Sequence, residues 1–280
     1  MSPAEALAIL GAGIAAGAIN AVVGSGSLIT FPTLLAFGFP PVVANVSNNV
    51  GLVPGNVSGA YGYRRELAGQ RGRLIRLGIA AVIGGLTGAI LLLSLPASAF
   101  TLIVPALILI ACVLVLIQPR MGARLAARRA RAAGEDGDGG GAGGSDGDGG
   151  GDGDHAGRAS GADHVGPVLA AGMLLSGAYG GYFGAAQGVL VIGLLGSFLD
   201  ESLQRVNAAK NVLVALVNAT AAIVFILFAH VSWLAVLLIA AGSTIGGLLG
   251  AKFGRKLPPM ALRLLVVAIG LIAAVRLVFF

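Results

Sequence analysis

The sequence contains little charge for its length. Asp, Glu, Lys and Arg make up 11% of its 280 residues, whereas 56% of the residues are hydrophobic. A soluble domain has about 25% charged residues. Because the outside of a soluble protein needs polar groups, this composition excludes an ordinary soluble domain and indicates a protein that is solvated by lipid.

The sequence also lacks the residue groupings on which most enzymes depend. Its single cysteine, Cys112, excludes an internal disulfide framework. The three histidines do not have the spacing of metal ligands, and the sequence contains no nucleophile–base grouping and no phosphate-binding glycine loop. We therefore expect no catalytic residue, no metal site, no cofactor and no enzymatic activity.

The hydrophobic residues form long runs. A helix needs about 20 residues to cross the hydrocarbon core of a bilayer. Strands of a membrane barrel alternate polar and apolar residues, and these runs do not. The sequence therefore predicts an all-α, polytopic integral membrane protein. Runs of spanning length cover residues 5–23, 41–63, 74–95, 99–117, 165–183, 206–229, 231–251 and 260–280, and two shorter runs cover 27–39 and 188–199.

One segment has a different composition from the rest. Residues 134–154 are almost entirely Gly and acidic residues, and they contain 7 of the 12 acidic residues of the chain. Such a segment cannot bury apolar surface, so we expect it to be disordered. It lies within a predicted cytoplasmic linker, 118–164, which separates a first transmembrane repeat, 1–117, from a second, 165–280.

The two halves are related in sequence. At an offset of 162 residues, the glycine-rich segment 83–89 falls on 245–251. Three amide side chains inside apolar runs repeat at the same offset, which indicates an internal repeat more strongly than small residues do. Asn45, Asn49 and Asn56 fall on Asn207, Asn211 and Asn218.

The distribution of basic residues indicates that the repeats are inverted. Cytoplasmic loops are enriched in Lys and Arg, which places 64–76, 118–164 and 252–263 in the cytoplasm and both termini outside. Each half then makes an odd number of crossings. The short runs are therefore either re-entrant hairpins or short spans, and the sequence leaves both open. The predicted fold is a bundle of two inverted repeats, with a broken helix near the start of each.

The breaks in these helices are the first candidate site. Glycine permits backbone conformations that other residues resist, and N–H groups at the start of the following helix can bind an anion. The alternative is a tight turn between packed helices. The candidate residues are Gly24, Ser25, Gly26 and Ser27 in the first half and Gly184, Gln187 and Gly188 in the second.

Polar residues inside the apolar runs are the second candidate site. Asn45, Asn49, Asn207 and Asn211 could line a substrate path or form interhelical hydrogen bonds. Lys210 carries a charge that is expensive to bury, and a bound anion would compensate it. Its side chain could instead reach the membrane surface or pair with Asp200 or Glu201.

Residues 13–28, followed by Pro32, resemble the opening motif of the sulfite exporter TauE/SafE family. That motif is a glycine-rich helix, a Gly-x-Gly break and a short apolar helix with a proline. The second half has no full glycine cluster at its break. The resemblance implies two related halves joined by a variable cytoplasmic loop, and transport of small anions that often contain sulfur.

Together these features predict a secondary transporter, either a permease or an exporter. It would move a small anion, such as sulfite or an organosulfonate, across the bacterial plasma membrane. Two helix breaks in matched positions favour transport, because a scaffold needs no paired sites. The alternative is a non-transporting membrane scaffold or sensor. The expected partners are the anion and the lipid bilayer, without nucleic acid. The oligomeric state, the direction of transport and the coupling ion are not predicted.

Overall fold

The computed structural model describes residues 1–135, 166–199, 201–253 and 259–279. In these ranges the regular structure is entirely helical, without a strand, which confirms the predicted all-α membrane fold. The ten helices are α1 Pro3–Val22, α2 Ser27–Ala36, α3 Pro41–Gly62, α4 Arg71–Ser94, α5 Ala97–Glu135, α6 Pro167–Tyr182, α7 Gln187–Phe198, α8 Leu203–Phe228, α9 Trp233–Phe253 and α10 Pro259–Phe279.

The two short runs form short helices. Among the described residues, five segments are long and apolar enough to cross a membrane: α1, α4, the first part of α5, α8 and α9. Helices α2 and α7 have only 10 and 12 residues. At 1.5 Å per residue these are about 15 and 18 Å long, well short of the ~30 Å hydrocarbon core. The short runs therefore form helices of about half a membrane-spanning length, each following a break after the longer helix before it.

Helix α5 is longer than its apolar run. It continues through Glu135, whereas the sequence places the start of the linker at residue 118. Gly134 and Glu135, the first two residues of the segment predicted to be disordered, end this helix. The remainder of that segment, and of the linker up to residue 165, lies outside the described residues.

The two halves are intertwined. Helix α1 packs along α9 of the other half, and its counterpart α6 packs along α4. The contact of α3 with α9 is matched by that of α8 with α4, and the contact of α2 with α10 by that of α7 with α5. Helices α3 and α8 pack against each other, so they bring the two halves into direct contact. The hairpin of each half is therefore held mainly by the other half.

Glycines allow these paired helices to approach closely. A Cβ atom at Gly246 of α9 would lie 2.0 Å from the Ile14 carbonyl oxygen of α1. In the equivalent pair, a Cβ atom at Gly84 of α4 would lie 2.1 Å from the Leu174 carbonyl oxygen of α6. Small residues are what allow membrane helices to pack at such distances. This packing fixes the positions of α1 and α6 against the other half.

Candidate functional site

The same turn ends both broken helices. The N–H groups of Gly24 and of the residue before it donate to the Ile19 carbonyl oxygen, at 3.1 and 2.7 Å. The N–H groups of Gly184 and of the residue before it donate to the Tyr179 carbonyl oxygen, at 3.1 and 2.9 Å. Gly24 and Gly184 have φ angles of 87° and 76°, in the left-handed region that glycine adopts without strain. The breaks predicted from the glycines are therefore structurally equivalent.

The two breaks are in direct contact. The N–H group of Gly188 donates to the carbonyl oxygen of Gly24 at 3.1 Å, and a Cβ atom at Gly24 would lie 2.5 Å from the Gly188 Cα atom. Helices α2 and α7 begin next to this contact, and the N-cap residue of neither helix caps it with its own side chain. Their N-cap residues are Gly26 and Ala186. Two helix N-termini, each with partial positive charge, therefore start close to one point.

Two of the predicted side chains at the breaks are buried without a hydrogen-bond partner. Ser25 and Gln187 are each 1% exposed. Neither the hydroxyl oxygen of Ser25 nor the two amide atoms of Gln187 has a partner in the described part of the chain. Buried polar atoms are nearly always paired, and an unpaired one costs about 1–3 kcal/mol. Both side chains can therefore bind a ligand. Ser27, the first residue of α2, is also buried.

Asn20 organises the first break and was not predicted from the sequence. Its side-chain oxygen accepts from the Gly26 N–H group at 3.4 Å, and its Nδ2 atom donates to the side-chain oxygen of Asn56. A Cβ atom at Gly26 would lie 2.3 Å from the Ala16 carbonyl oxygen, so the loop folds tightly onto α1. The position of an amide at the end of an apolar run, just before a glycine break, is the signal that could have identified it.

The predicted asparagines bind the ends of the broken helices. Asn207 and Asn211 of α8 donate from Nδ2 to the Ala21 carbonyl oxygen of α1, at 3.0 and 3.4 Å. In the other half, Asn45 of α3 donates from Nδ2 to the Tyr182 carbonyl oxygen of α6 at 3.0 Å. The last carbonyl groups of a helix have no partner within it. The polar face of each long helix therefore caps the broken helix of the opposite half.

Asn49 links the two long helices. Its Nδ2 atom donates to the side-chain oxygen of Asn218 at 3.4 Å. The four predicted asparagines thus form interhelical hydrogen bonds, which is one of the two alternatives that the sequence leaves open. The Oδ1 atoms of Asn45, Asn49 and Asn207 still have no partner among the described residues. A role in lining the substrate path remains a prediction.

Lys210 lies inside the protein, beside the first break. It is 1% exposed, and its Nζ atom donates to the carbonyl oxygens of Asn20 at 2.8 Å and Ala21 at 3.2 Å. Its side chain therefore does not extend to the membrane surface, which was one of the alternatives from the sequence. It does not pair with Glu201 either, and Asp200 lies outside the described residues.

Glu201 forms an ion-pair cluster that joins the halves. Its carboxylate binds Arg73 of α4 at 2.8 Å and Arg205 of α8 at 2.5 Å. Arg205 also donates to the Ala68 carbonyl oxygen at 3.0 Å, and Gln70 donates to the Arg205 carbonyl oxygen at 3.3 Å. Burial by itself would raise the pKa of Glu201, but the hydrogen bonds and charges of Arg205 and Arg73 outweigh it and hold that pKa below its usual value.

Comparison with known families agrees with this architecture. The family model for "Sulfite exporter TauE/SafE" matches residues 9–277, nearly the whole chain. The chain belongs to the sulfite exporter TauE/SafE family. The family is one of membrane transporters, and the apolar helices make this member a multi-pass membrane protein.

Two curated TauE/SafE relatives cover nearly the whole chain. A "probable membrane transporter protein" of Haemophilus influenzae is 26% identical over 270 residues, which are 95% of this chain and 92% of the relative. The "probable membrane transporter protein YfcA" of Escherichia coli K12 is 22% identical over 265 residues, 94% of this chain and 86% of the relative. No solved structure shows a significant match.

Proposed function

We propose that this protein is a secondary transporter that moves a small anion across the bacterial plasma membrane, with both termini outside. The observation that carries the proposal is the contact between Gly24 and Gly188, which joins two broken helices from opposite halves. Transporters built from inverted repeats place their substrate where such helices meet. Membership of a transporter family supports the same conclusion.

The anion binds between the N-termini of α2 and α7 in this proposal. The partial positive charge of each helix start favours an anion, and Ser25 and Gln187 supply donors that have no other partner. Lys210 supplies a full positive charge beside the first break. The proposed binding residues are Gly24, Ser25, Gly26, Ser27, Asn45, Asn49, Gly184, Gln187, Gly188, Asn207, Lys210 and Asn211.

The structure corresponds to a closed state in this proposal. The polar side chains of the proposed site are 9% exposed or less, so they are largely enclosed by the protein. Because Gly24 touches Gly188, the two hairpins must separate for an anion to reach the N–H groups at their tips. The hairpin of each half packs on the other half, so relative motion of the halves would open the site.

The proposed substrate class is a compact anion with one charge, such as sulfite in its singly protonated form or an organosulfonate. The donors are short side chains and backbone N–H groups, which suit the oxygen atoms of a small oxyanion. One buried ammonium group balances one negative charge. The description of the family as sulfite exporters points to the same class of compound.

A flux assay on purified protein in proteoliposomes tests the proposal. We expect saturable exchange of a labelled anion against sulfite or ethanesulfonate, with weaker exchange against acetate. Empty vesicles and vesicles containing Gly188→Ala protein serve as controls. Absence of flux for sulfite, sulfate, sulfonates and carboxylates, with correctly inserted protein, would contradict transport and favour a membrane scaffold or sensor.

A further inference from the structure

The surroundings of Lys210 differ from those of an ordinary buried lysine. Its ammonium group is enclosed by protein and contacts the carbonyl oxygens of Asn20 and Ala21, at the C-terminal end of α1. No salt bridge to Lys210 is present among the described residues. A buried cation without a carboxylate is costly. The partial negative charge at the end of α1 compensates it only in part.

The hydrogen bonds of Lys210 suit both of its protonation states. A neutral amine has two N–H groups, and the two carbonyl oxygens of Asn20 and Ala21 accept both of them. An ammonium group has a third N–H. The third position on Nζ is therefore an N–H donor when the lysine is protonated and a lone pair when it is not. Loss of the proton leaves neither carbonyl oxygen without a donor.

We propose that Lys210, whose Nζ atom lies on the carbonyl oxygens that end α1 next to the break, carries one proton together with each transported anion. This inference rests on the proposed transport of an anion at the two breaks. It identifies the coupling ion as a proton. In the loaded transporter, the third N–H of the ammonium group faces the anion.

Other charged or titratable groups lie on the helices that pack against α8. Those helices are α1, α3, α4, α6 and α7. None of their charged or titratable side chains forms a hydrogen bond or salt bridge with Lys210 among the described residues. These groups are Glu5 on α1, Tyr61 on α3, Arg71, Arg73 and Arg76 on α4, and Tyr179 and Tyr182 on α6, with none on α7 and Arg205 on α8 itself.

The first half has no equivalent proton carrier among the described residues. The counterpart of Lys210 at the repeat offset is Asn48, which accepts a hydrogen bond from the Thr30 hydroxyl group. The end of α6 is capped by the neutral side chain of Asn45. The intertwined halves therefore provide matching helix breaks but a single ionisable cap in the described structure. This asymmetry gives one proton for each anion.

The proposed cycle keeps the buried site close to neutral. On the loading side, the Lys210 amine takes a proton from water as the anion binds, so the ammonium group and the anion compensate each other. On the other side the anion leaves, and the ammonium group returns its proton to water. A monovalent anion and a proton cross together, without net charge movement. Both the loaded and the empty states thereby avoid an isolated charge in the membrane.

Proteoliposomes with an imposed pH gradient test this inference. For the wild-type protein, we expect labelled ethanesulfonate to accumulate on the alkaline side of the vesicle membrane. A trapped pH-sensitive dye should report about one proton transported with each anion. In Lys210→Met vesicles, labelled anion should still exchange, with an apparent affinity weaker by roughly tenfold. Accumulation driven by the pH gradient should disappear. Lys252→Met, at the exposed end of α9, is the matched lysine control and should behave like the wild type.

A second measurement needs no variant. Calorimetry of sulfonate binding to wild-type protein, in buffers of different ionisation enthalpy, counts the protons taken up. We expect uptake to rise towards about one proton per anion as the pH is raised, because more of the empty protein then holds Lys210 as the neutral amine. No uptake at any pH, or gradient-driven accumulation in Lys210→Met, would show that Lys210 is a permanent helix cap. Wild-type flux that does not depend on the pH gradient would contradict this inference but not the proposed function. The absence of wild-type flux would contradict the proposed function itself.

Discussion

The backbone N–H group of Gly188 donates to the carbonyl oxygen of Gly24 at 3.1 Å, which joins the first residues of α7 to the loop between α1 and α2. The contact is possible because neither residue has a side chain: a Cβ atom on either one would lie 2.5 Å from the Cα atom of the other. The same two glycines therefore determine how closely the two halves approach at the proposed binding site.

Substitution of Gly188 by alanine should weaken this contact. The added methyl group would meet backbone atoms of Gly24, which cannot move aside as a flexible side chain could. We therefore expect a loss of about 1–3 kcal/mol in stability and a large loss of anion flux. Gly11→Ala in α1 is the control, because a Cβ atom there meets nothing within 4 Å. Thermal unfolding in detergent and flux in vesicles are the measurements. Wild-type behaviour of Gly188→Ala in both would contradict the observed packing.

Substitution of two buried glutamines should distinguish an effect on anion binding from an effect on stability. Gln187 has no partner for its amide atoms, whereas Gln70, also 1% exposed, donates to the carbonyl oxygens of Glu66 and Arg205. Gln187→Met should weaken anion binding about tenfold and leave the melting temperature unchanged or higher. Gln70→Met should lower stability by about 1 kcal/mol and leave affinity unchanged. If Gln187→Met binds anions normally, Gln187 does not belong to the site.

The ion pairs of Glu201 should give a pH-dependent contribution to stability. Its pKa is lower in the folded protein than the ordinary value of 4.5. The stabilisation is therefore complete above the ordinary pKa and disappears as the pH falls through the lower, folded value. We expect Glu201→Gln to be less stable than wild type by about 1 kcal/mol at pH 7. The difference in melting temperature should vanish in acid and shrink with added salt.

The inverted arrangement predicts the accessibility of introduced cysteines. Cysteines at Ser98 and Ser232 should react with an impermeant reagent from outside the cell, and a cysteine at Ser145 only from inside, since the basic loops are expected in the cytoplasm. The native Cys112 is 3% exposed and should not react, so it can remain in place. Reaction of the Ser145 variant from outside would reverse the proposed orientation.

The local sequence was enough to predict the two helix breaks and the one notable charged residue, Lys210. The glycines between consecutive apolar runs predict the two interrupted helices, because glycine alone adopts φ angles such as the 87° of Gly24 without strain. Lys210 was identified for a similar reason, because it is a charged residue within an apolar run. Gln187 was identified by its position in the second break. The roles of these residues depend on which groups surround them.

The sequence by itself determined that this chain is a helical membrane protein with two related halves, because hydrophobic length and repeat spacing are properties of consecutive residues. Only the tertiary structure decided that α2 and α7 are short helices, that the hairpin of each half packs on the other half, and that Lys210 lies on the Asn20 and Ala21 carbonyl oxygens. A hydrogen bond between residues so far apart in sequence depends on helix crossing and register. Those are set by packing at glycines such as Gly84 and Gly246, which the hydrophobic pattern of one chain segment does not encode.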